Sequence, residues 1–346
     1  MMLGRYPWLR DVSRSARLLG FMVVLLCGVY PAALWIIGQM IFPFQANGSL
    51  LRGPDGASVG SLLIAQAFSH EEYFQPRPSA AAYDAAASAS STLAPSNYLL
   101  RDRVARTLGP IVRYRSGPKQ GQLVGPDIER WFQADRYDGK PYIVAQWAAA
   151  HNGLARAWVA ADPSHARFVN GWAKMRAEVV GRWINDNPGT PRPEAPDLAV
   201  VFFDTFSKEN PGRFPAAVTR RDSGAKPVTE IQLVNDGADI QSIFFDMWRH
   251  EHAEADLEAV PADMVMASGS GLDPHITLAA AEYQLARVAS AWARKTARTP
   301  AQVQREIDEL LQAKARAPLG GLVGEPLVNV LEVNLTLRAR YGPPAP

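Results

Sequence analysis

No charged residue interrupts the chain between Arg17 and Arg52. The heart of that interval, Leu18 to Phe42, reads LLGFMVVLLCGVYPAALWIIGQMIF and is apolar almost throughout. About 20 apolar residues cross the hydrocarbon core of a bilayer, so this run is long enough to span it with some tilt. A cleaved secretory leader is the competing reading. Its apolar region would be only about 7–15 residues long and would end in a small-x-small site. Here Pro43-Phe44-Gln45-Ala46-Asn47 puts Phe44 where a small residue is wanted, which favours a retained anchor.

The flanks give an orientation. Arg5, Arg10, Arg14 and Arg17 precede the run against a single Asp11, and the next basic residue is Arg52. The positive-inside rule then keeps a tail of residues 1–17 in the cytoplasm and exports the chain beyond residue 43. Tyr6 and Trp8 before the span, with Phe42 and Phe44 after it, suit the two interfaces. Pro31 is tolerable in lipid because local adjustment can satisfy the freed carbonyl. The span holds no ionisable side chain for an ion, so it anchors or packs against partner helices.

Hydrophobic residues make up 47% of the chain and charged residues 20%, which allows a real core in the part outside the span. A net charge of +2 with no long basic run gives no electrostatic case for a nucleic-acid partner. Cys27 is the single cysteine and lies in the apolar run, so no intramolecular disulfide braces the fold.

Beyond the anchor, Val59 to Phe68 suits a buried strand. Pro76, Pro78 and the Ala/Ser-rich run to Ser96 break regular structure, and Ser96 or Asn97 caps a helix through Leu100, Val104 and Leu108. From about Tyr114 to Glu258 the character changes, with six of the nine tryptophans at 131, 147, 158, 172, 183 and 248. Two helical patterns run from Pro141 to Ala160 and from Pro163 to Asn187, the second capped by Asp162. Leu198–Phe203 reads as a strand or a short buried helix. In the last part, Ala262–Ala267 suits a strand, Thr277–Ala293 a helix, and Thr299-Pro300 starts another helix with Val303, Ile307, Leu310 and Leu311 on its apolar face. Val328 to Leu337, VNVLEVNLTL, alternates with period two and predicts a terminal strand.

The densest chemistry is in ASGSGLDPHITLAAAEYQLARV, residues 267–288. Ser268, Asp273 and His275 are the residue types of a hydrolase triad, but neither Gly-x-Ser-x-Gly nor the Gly-Lys-Ser/Thr of a phosphate loop is present. The favoured reading is structural: Gly269 and Gly271 supply positive φ in a tight turn, and Asp273-Pro274 opens the next element. Arg249-His250-Glu251-His252 lacks the spacing of a metal site, since histidines two apart do not share a face. The tryptophans could form a carbohydrate-type aromatic surface, but at helical spacing they suit a core. No residue is assigned to catalysis or to a metal.

Six ordered blocks carry a resemblance. They are Phe42 to Leu50 at the end of the span; Val59 to Gln66; Tyr73 to Ser79; Tyr83 to Ser88; Val260 to Val265 running on through Ser268 and His275 to Gln284; and Leu322 to Pro326 with VNVLEVNLTL. In these the chain resembles the C subunit of the Kdp-type, ATP-driven potassium uptake complex over roughly residues 15–113 and 259–338. Family members are usually near 200 residues, so 114–258 reads as an insertion of unknown role. At Ser88–Leu93 the family's glycines and Ser-Asn-Leu are replaced.

The resemblance implies a mixed α/β (α+β) exported domain, 43–113 with 259–346, on a single N-terminal transmembrane helix, plus a mainly helical inserted region. It implies a single-pass protein of the bacterial inner membrane, assembled with a potassium channel-like subunit, a P-type ATPase subunit and a small accessory subunit. Such a subunit is not itself an enzyme. The family is also described as a catalytic chaperone that raises the ATP affinity of the ATPase subunit, with ATP reached only through that partner. Because the folded part lies opposite the cytoplasm, a scaffold or gate at the outer mouth of the ion path fits the topology better. A membrane-anchored hydrolase or a ligand-binding module is the alternative. The residues taken as a partner or structural surface are Gln45, Asn47, Gly48, Ser49, Arg77, Ser79, Ser268, Gly269, Ser270, Gly271, Asp273, His275, Glu282, Gln284, Glu325 and Asn329.

Overall fold

The computed structural model describes residues 7–53, 56–220 and 228–344. Arg5 and Tyr6, two of the residues flanking the apolar run, lie outside them. The run itself forms α1 (Pro7–Val23), a π-helical stretch Val24–Val29, and α2 (Tyr30–Ile41). Within it, Arg10–Ile41 is one helix of 32 residues, with a most apolar window of mean hydropathy 2.2 and none of that window buried. By length and composition this is a helix able to cross a membrane. Pro31 explains the π stretch: it has no N–H, and its ring crowds the carbonyl four residues back, so the helix widens just before it.

The chain then gives α3 (Pro43–Ala46), β1 (Leu50–Arg52), β2 (Ser58–Ser61), α4 (Tyr98–Ile111), α5 (Gly125–Gln133), β3 (Arg136–Tyr137) and β4 (Lys140–Pro141). Next come α6 (Ile143–Ala150), α7 (Asn152–Ala161), α8 (Pro163–Met175), α9 (Ala177–Asp186), α10 (Ala199–Glu209), β5 (Phe214–Arg220), β6 (Val228–Val234) and α11 (Ala238–Glu251). The last are β7 (His275–Thr277), α12 (Leu278–Thr296), α13 (Pro300–Lys314), β8 (Leu327–Asn329) and α14 (Val330–Tyr341). Each sheet among the described residues is a two-stranded antiparallel ribbon. The class is therefore mixed but dominated by helices.

Two compact units result, Met1–Ser91 with Met266–Pro346, and Thr92–Val265. The second has its own core. Trp147 sits at its centre with ring centroids 5.3, 5.9 and 6.0 Å from Phe203, Phe214 and Phe244, and Trp158 lies 5.2 Å from Phe203. Trp147, Trp158, Trp172 and Trp248 are all buried, so these tryptophans pack the interior. Asn97 caps α4 by accepting from the Leu99 N–H. α4 then approaches α11 so closely that a Cβ at Gly109 would fall 2.0 Å from the Gln241 carbonyl oxygen. Only glycine fits there.

In the first unit, Thr277 caps α12 by accepting from the Ala280 N–H. α12 and α13 pack as a helical hairpin, with Val303, Ile307 and Leu311 buried and Leu310 at its margin. Tyr73 and Tyr341 both contact Trp292, at 6.4 and 5.4 Å between centroids.

Several expectations are corrected. VNVLEVNLTL is not a terminal strand: only Leu327–Asn329 is extended, and helix begins at Val330. The buried positions are Val330, Leu331, Val333, Asn334 and Leu337, which is helical spacing, and Asn329 caps the start by accepting from the Glu332 N–H. Val59–Phe68 is strand only to Ser61, and 262–267 is a short 3₁₀ turn at Ala262–Met264 followed by loop. Each long helical pattern of the second unit is two helices, broken at His151 and Arg176, where φ is −124° and −123°. Of the two readings of Leu198–Phe203 the structure takes the buried helix, entering α10 through a 3₁₀ turn.

Candidate functional site

The segment 268–275 acts as a structural hub. Gly271 sits at φ +71°, and a Cβ there would meet the Ala89 carbonyl oxygen at 2.7 Å. Its own carbonyl accepts from the Ser79 hydroxyl at 2.5 Å, and that hydroxyl oxygen in turn accepts from the Ala81 and Tyr83 N–H groups. The Ser270 carbonyl accepts from the Ala89 N–H at 3.0 Å and the Ser88 hydroxyl at 3.1 Å. The Ala/Ser-rich run is thus an irregular but hydrogen-bonded loop, held by the glycine turn. Gly269 is different: its φ is not positive and a Cβ there would meet open space, so the expected conformational need is confined to Gly271.

Asp273 gathers the polar groups of this hub. Its Oδ1 accepts from the His275 N–H at 3.0 Å and lies 3.0 Å from the His275 Nδ1, and its Oδ2 lies 3.8 Å from Arg77. The His275 hydrogen bond, then the charge of Arg77, hold its carboxyl below the usual aspartate range. Ser268 is buried, while the Ser270 hydroxyl accepts from the Leu272 N–H. The hydroxyl of Ser270 therefore serves the turn.

His275 also opens β7 and pairs with Asn329 of β8. Asn329 ties three segments together: backbone pairing to His275, its Oδ1 on the α14 start, and its Nδ2 donating to the Leu62 carbonyl at 2.8 Å. Close by, the Ser61 hydroxyl donates to the Gly48 carbonyl at 2.7 Å, and the Leu62 N–H donates to the Ser49 carbonyl. Gly48 and Ser49 both take positive φ, +80° and +50°. The Asn47 Nδ2 reaches back to Gln39 Oε1 at 3.1 Å and to the Pro43 carbonyl at 2.6 Å, fixing the end of the apolar helix. Gln45, Ser49, His275 and Asn329 thereby converge on one cleft of about 410 Å³, completed by Lys314, Arg316 and Glu332.

A second relationship holds segment 71–75, a turn and bend that runs into irregular chain. The Gln284 Oε1 accepts from the Gln75 N–H at 2.7 Å while its Nε2 donates to the Gln75 carbonyl at 3.1 Å. Asn334 does the same for Phe74, both bonds at 2.9 Å. Arg287 donates to the Glu71 and Tyr73 carbonyls, and its burial pulls its pKa below the ordinary arginine value. Arg287 and Asn334 were not singled out in the sequence, because their partners lie more than 200 residues away. Glu282, by contrast, is exposed and accepts from Gln312, and Glu325 is exposed on the loop before β8. Neither lines the cleft.

In the second unit, His252 stacks on Trp248 at 4.7 Å and faces the Trp248 carbonyl, while Arg249 donates to the His252 and Ala255 carbonyls. The Arg-His-Glu-His stretch is accordingly a helix C-terminus held by its own side chains. No cluster of three His, Cys, Asp or Glu side chains able to hold a metal occurs among the described residues.

One N-terminal helix long and apolar enough to cross a membrane, followed by a helix-rich unit cross-tied by glycine turns and amide side chains, is the frame of the matched part of the chain. The family described as K+-transporting ATPase, c chain (KdpC), matches residues 12–126 and 239–339, and the chain belongs to that family. A potassium-transporting ATPase KdpC subunit of Caulobacter vibrioides is 28% identical over 327 residues, covering 94% of this chain and 91% of the relative. The KdpC subunit of Pseudomonas aeruginosa is 54% identical over 77 residues, 22% of this chain and 42% of that one. That of Synechocystis is 44% identical over 103 residues, 28% and 54% of the two chains. The long form of the chain is thus shared with Caulobacter.

Proposed function

We propose that the chain is the accessory, non-catalytic subunit of an ATP-driven potassium uptake complex, anchored by residues 18–42 with its N-terminus in the cytoplasm. The observation that carries this is the family match on both sides of the unmatched middle, span included. The turn around Gly271 forms part of its partner surface. The partners are a channel-like subunit, a P-type ATPase subunit and a small accessory subunit. ATP is bound by the ATPase subunit, and this chain influences its use indirectly, as a scaffold or gate on the side of the membrane away from the nucleotide. The middle of the chain, residues 127–238 between the two matched stretches, is an insertion carried by the longer members.

The test is co-purification. A tagged chain expressed with the channel-like and ATPase subunits should bring both down from solubilised membranes, and deletion of 18–42 should abolish recovery. Turnover of an ester or peptide substrate by the isolated chain, lost in Ser268→Ala or His275→Ala, would instead support an anchored hydrolase. Deleting 127–238 without loss of transport would mark the insertion as dispensable.

A further inference from the structure

We propose that the cleft between the end of the apolar helix and the loop 317–326 binds the phosphodiester of an anionic phospholipid headgroup. The proposal rests on the chain being anchored in the membrane. Place is the first reason. Phe44 and Gln45, which line the cleft, follow Ile41 by only a few residues, and the Asn47 bonds to Gln39 and Pro43 fix that wall to the helix end. A helix that leaves the hydrocarbon near Phe42 puts the cleft at headgroup level.

Charge is the second reason. Arg316 is exposed, and its N–H and carbonyl are both paired with Leu327, at 2.9 and 3.0 Å, so its guanidinium is displayed from a fixed backbone. Among the described residues no carboxylate pairs with it. The one acid lining the cleft, Glu332, is neutralised by Lys314 at 2.8 Å. A guanidinium lining the same cleft as the Gln45 amide suits a phosphate, which arginine can grip with two parallel N–H donors.

The third reason is apolar. The Arg316–Leu327 pair closes the base of the loop, and beyond Pro318 the loop displays Leu322 and Val323, 86% and 62% exposed. Phe44, also exposed, lines the cleft itself, and the exposed Phe42 lies two residues before it. Basic side chains beside exposed apolar ones are what an interfacial lipid site requires. Glu325, on the return leg of the loop, is the acid that limits this attraction.

The experiment titrates the full chain, purified in a neutral detergent, with short-chain phosphatidylglycerol, short-chain phosphatidylcholine and inorganic phosphate, read by calorimetry. Phosphatidylglycerol should bind more tightly than phosphatidylcholine. Arg316→Gln, a change at an exposed side chain, should weaken it about fivefold, the effect of one basic charge near an anionic surface. Leu322→Ser should weaken it as well. Equal binding of the two lipids, or of phosphatidylglycerol to wild type and Arg316→Gln, overturns the proposal. So does inorganic phosphate binding as tightly as the lipid, which would make the ligand a free anion. Alkaline carbonate extraction of membranes separates the two levels. Release of the chain overturns the anchored reading and this site with it, whereas retention without lipid preference overturns the site alone.

Discussion

Asn334, on α14, uses its side-chain amide as a strand would use its backbone, accepting from the Phe74 N–H and donating to the Phe74 carbonyl, each at 2.9 Å. Both residues are 1% exposed. Gln284 repeats the device on Gln75. Irregular backbone is thereby satisfied by two helices and needs no sheet.

Asn334→Leu should therefore destabilise the first unit by about 2–4 kcal/mol, because it strands a buried donor and a buried acceptor. Asn334→Asp keeps the acceptor for the Phe74 N–H but sets a carboxylate against its carbonyl. Its loss should be larger at neutral pH than near pH 4, as thermal unfolding at the two pH values would record.

Gly271→Ala meets both an unfavourable φ and the Ala89 carbonyl, and should cost about 1–3 kcal/mol. Gly269→Ala, in open space, should stay within about 0.5 kcal/mol of wild type. Limited proteolysis should cut the 79–92 loop faster in the first variant only.

Glu306 accepts hydrogen bonds from Arg298 and from the Tyr341 hydroxyl, which lower its pKa from 4.5 to about 2. A carboxyl depressed by folding contributes stability that is complete above its ordinary value and is lost as pH falls through the folded one. The wild-type melting temperature should thus decline between about pH 4.5 and 2 more steeply than that of Glu306→Gln. Asp273→Asn should flatten the acid limb in the same direction, since its carboxyl is also held low, first by His275.

Trp147→Ala removes the centre of the second unit's core and should cost about 3–5 kcal/mol, measured by denaturant unfolding of the full chain. Trp147→Phe should cost less, since a ring remains among Phe203, Phe214 and Phe244.

What the sequence by itself determined is local. The apolar run, the caps at Asn97 and Asp162, and the proline start at Pro300 depend on neighbouring residues, and the structure contains each. VNVLEVNLTL misled because Val330, Leu331, Val333 and Leu337 satisfy a helix while the same letters also alternate; burial against α13 and a cap at Asn329 decided it. The glycine turn was legible as a turn, but the reason for Gly271 alone is the Ala89 carbonyl, far earlier in the chain. Likewise Gln45, Ser49, His275 and Asn329 could be chosen singly, yet their meeting in one cleft needed the β7–β8 ribbon and the Asn329–Leu62 bond. Caps and spans are settled within a few residues, where chain entropy is small. Amide clamps and clefts arise only when packing brings together groups whose separation along the chain carries no signal.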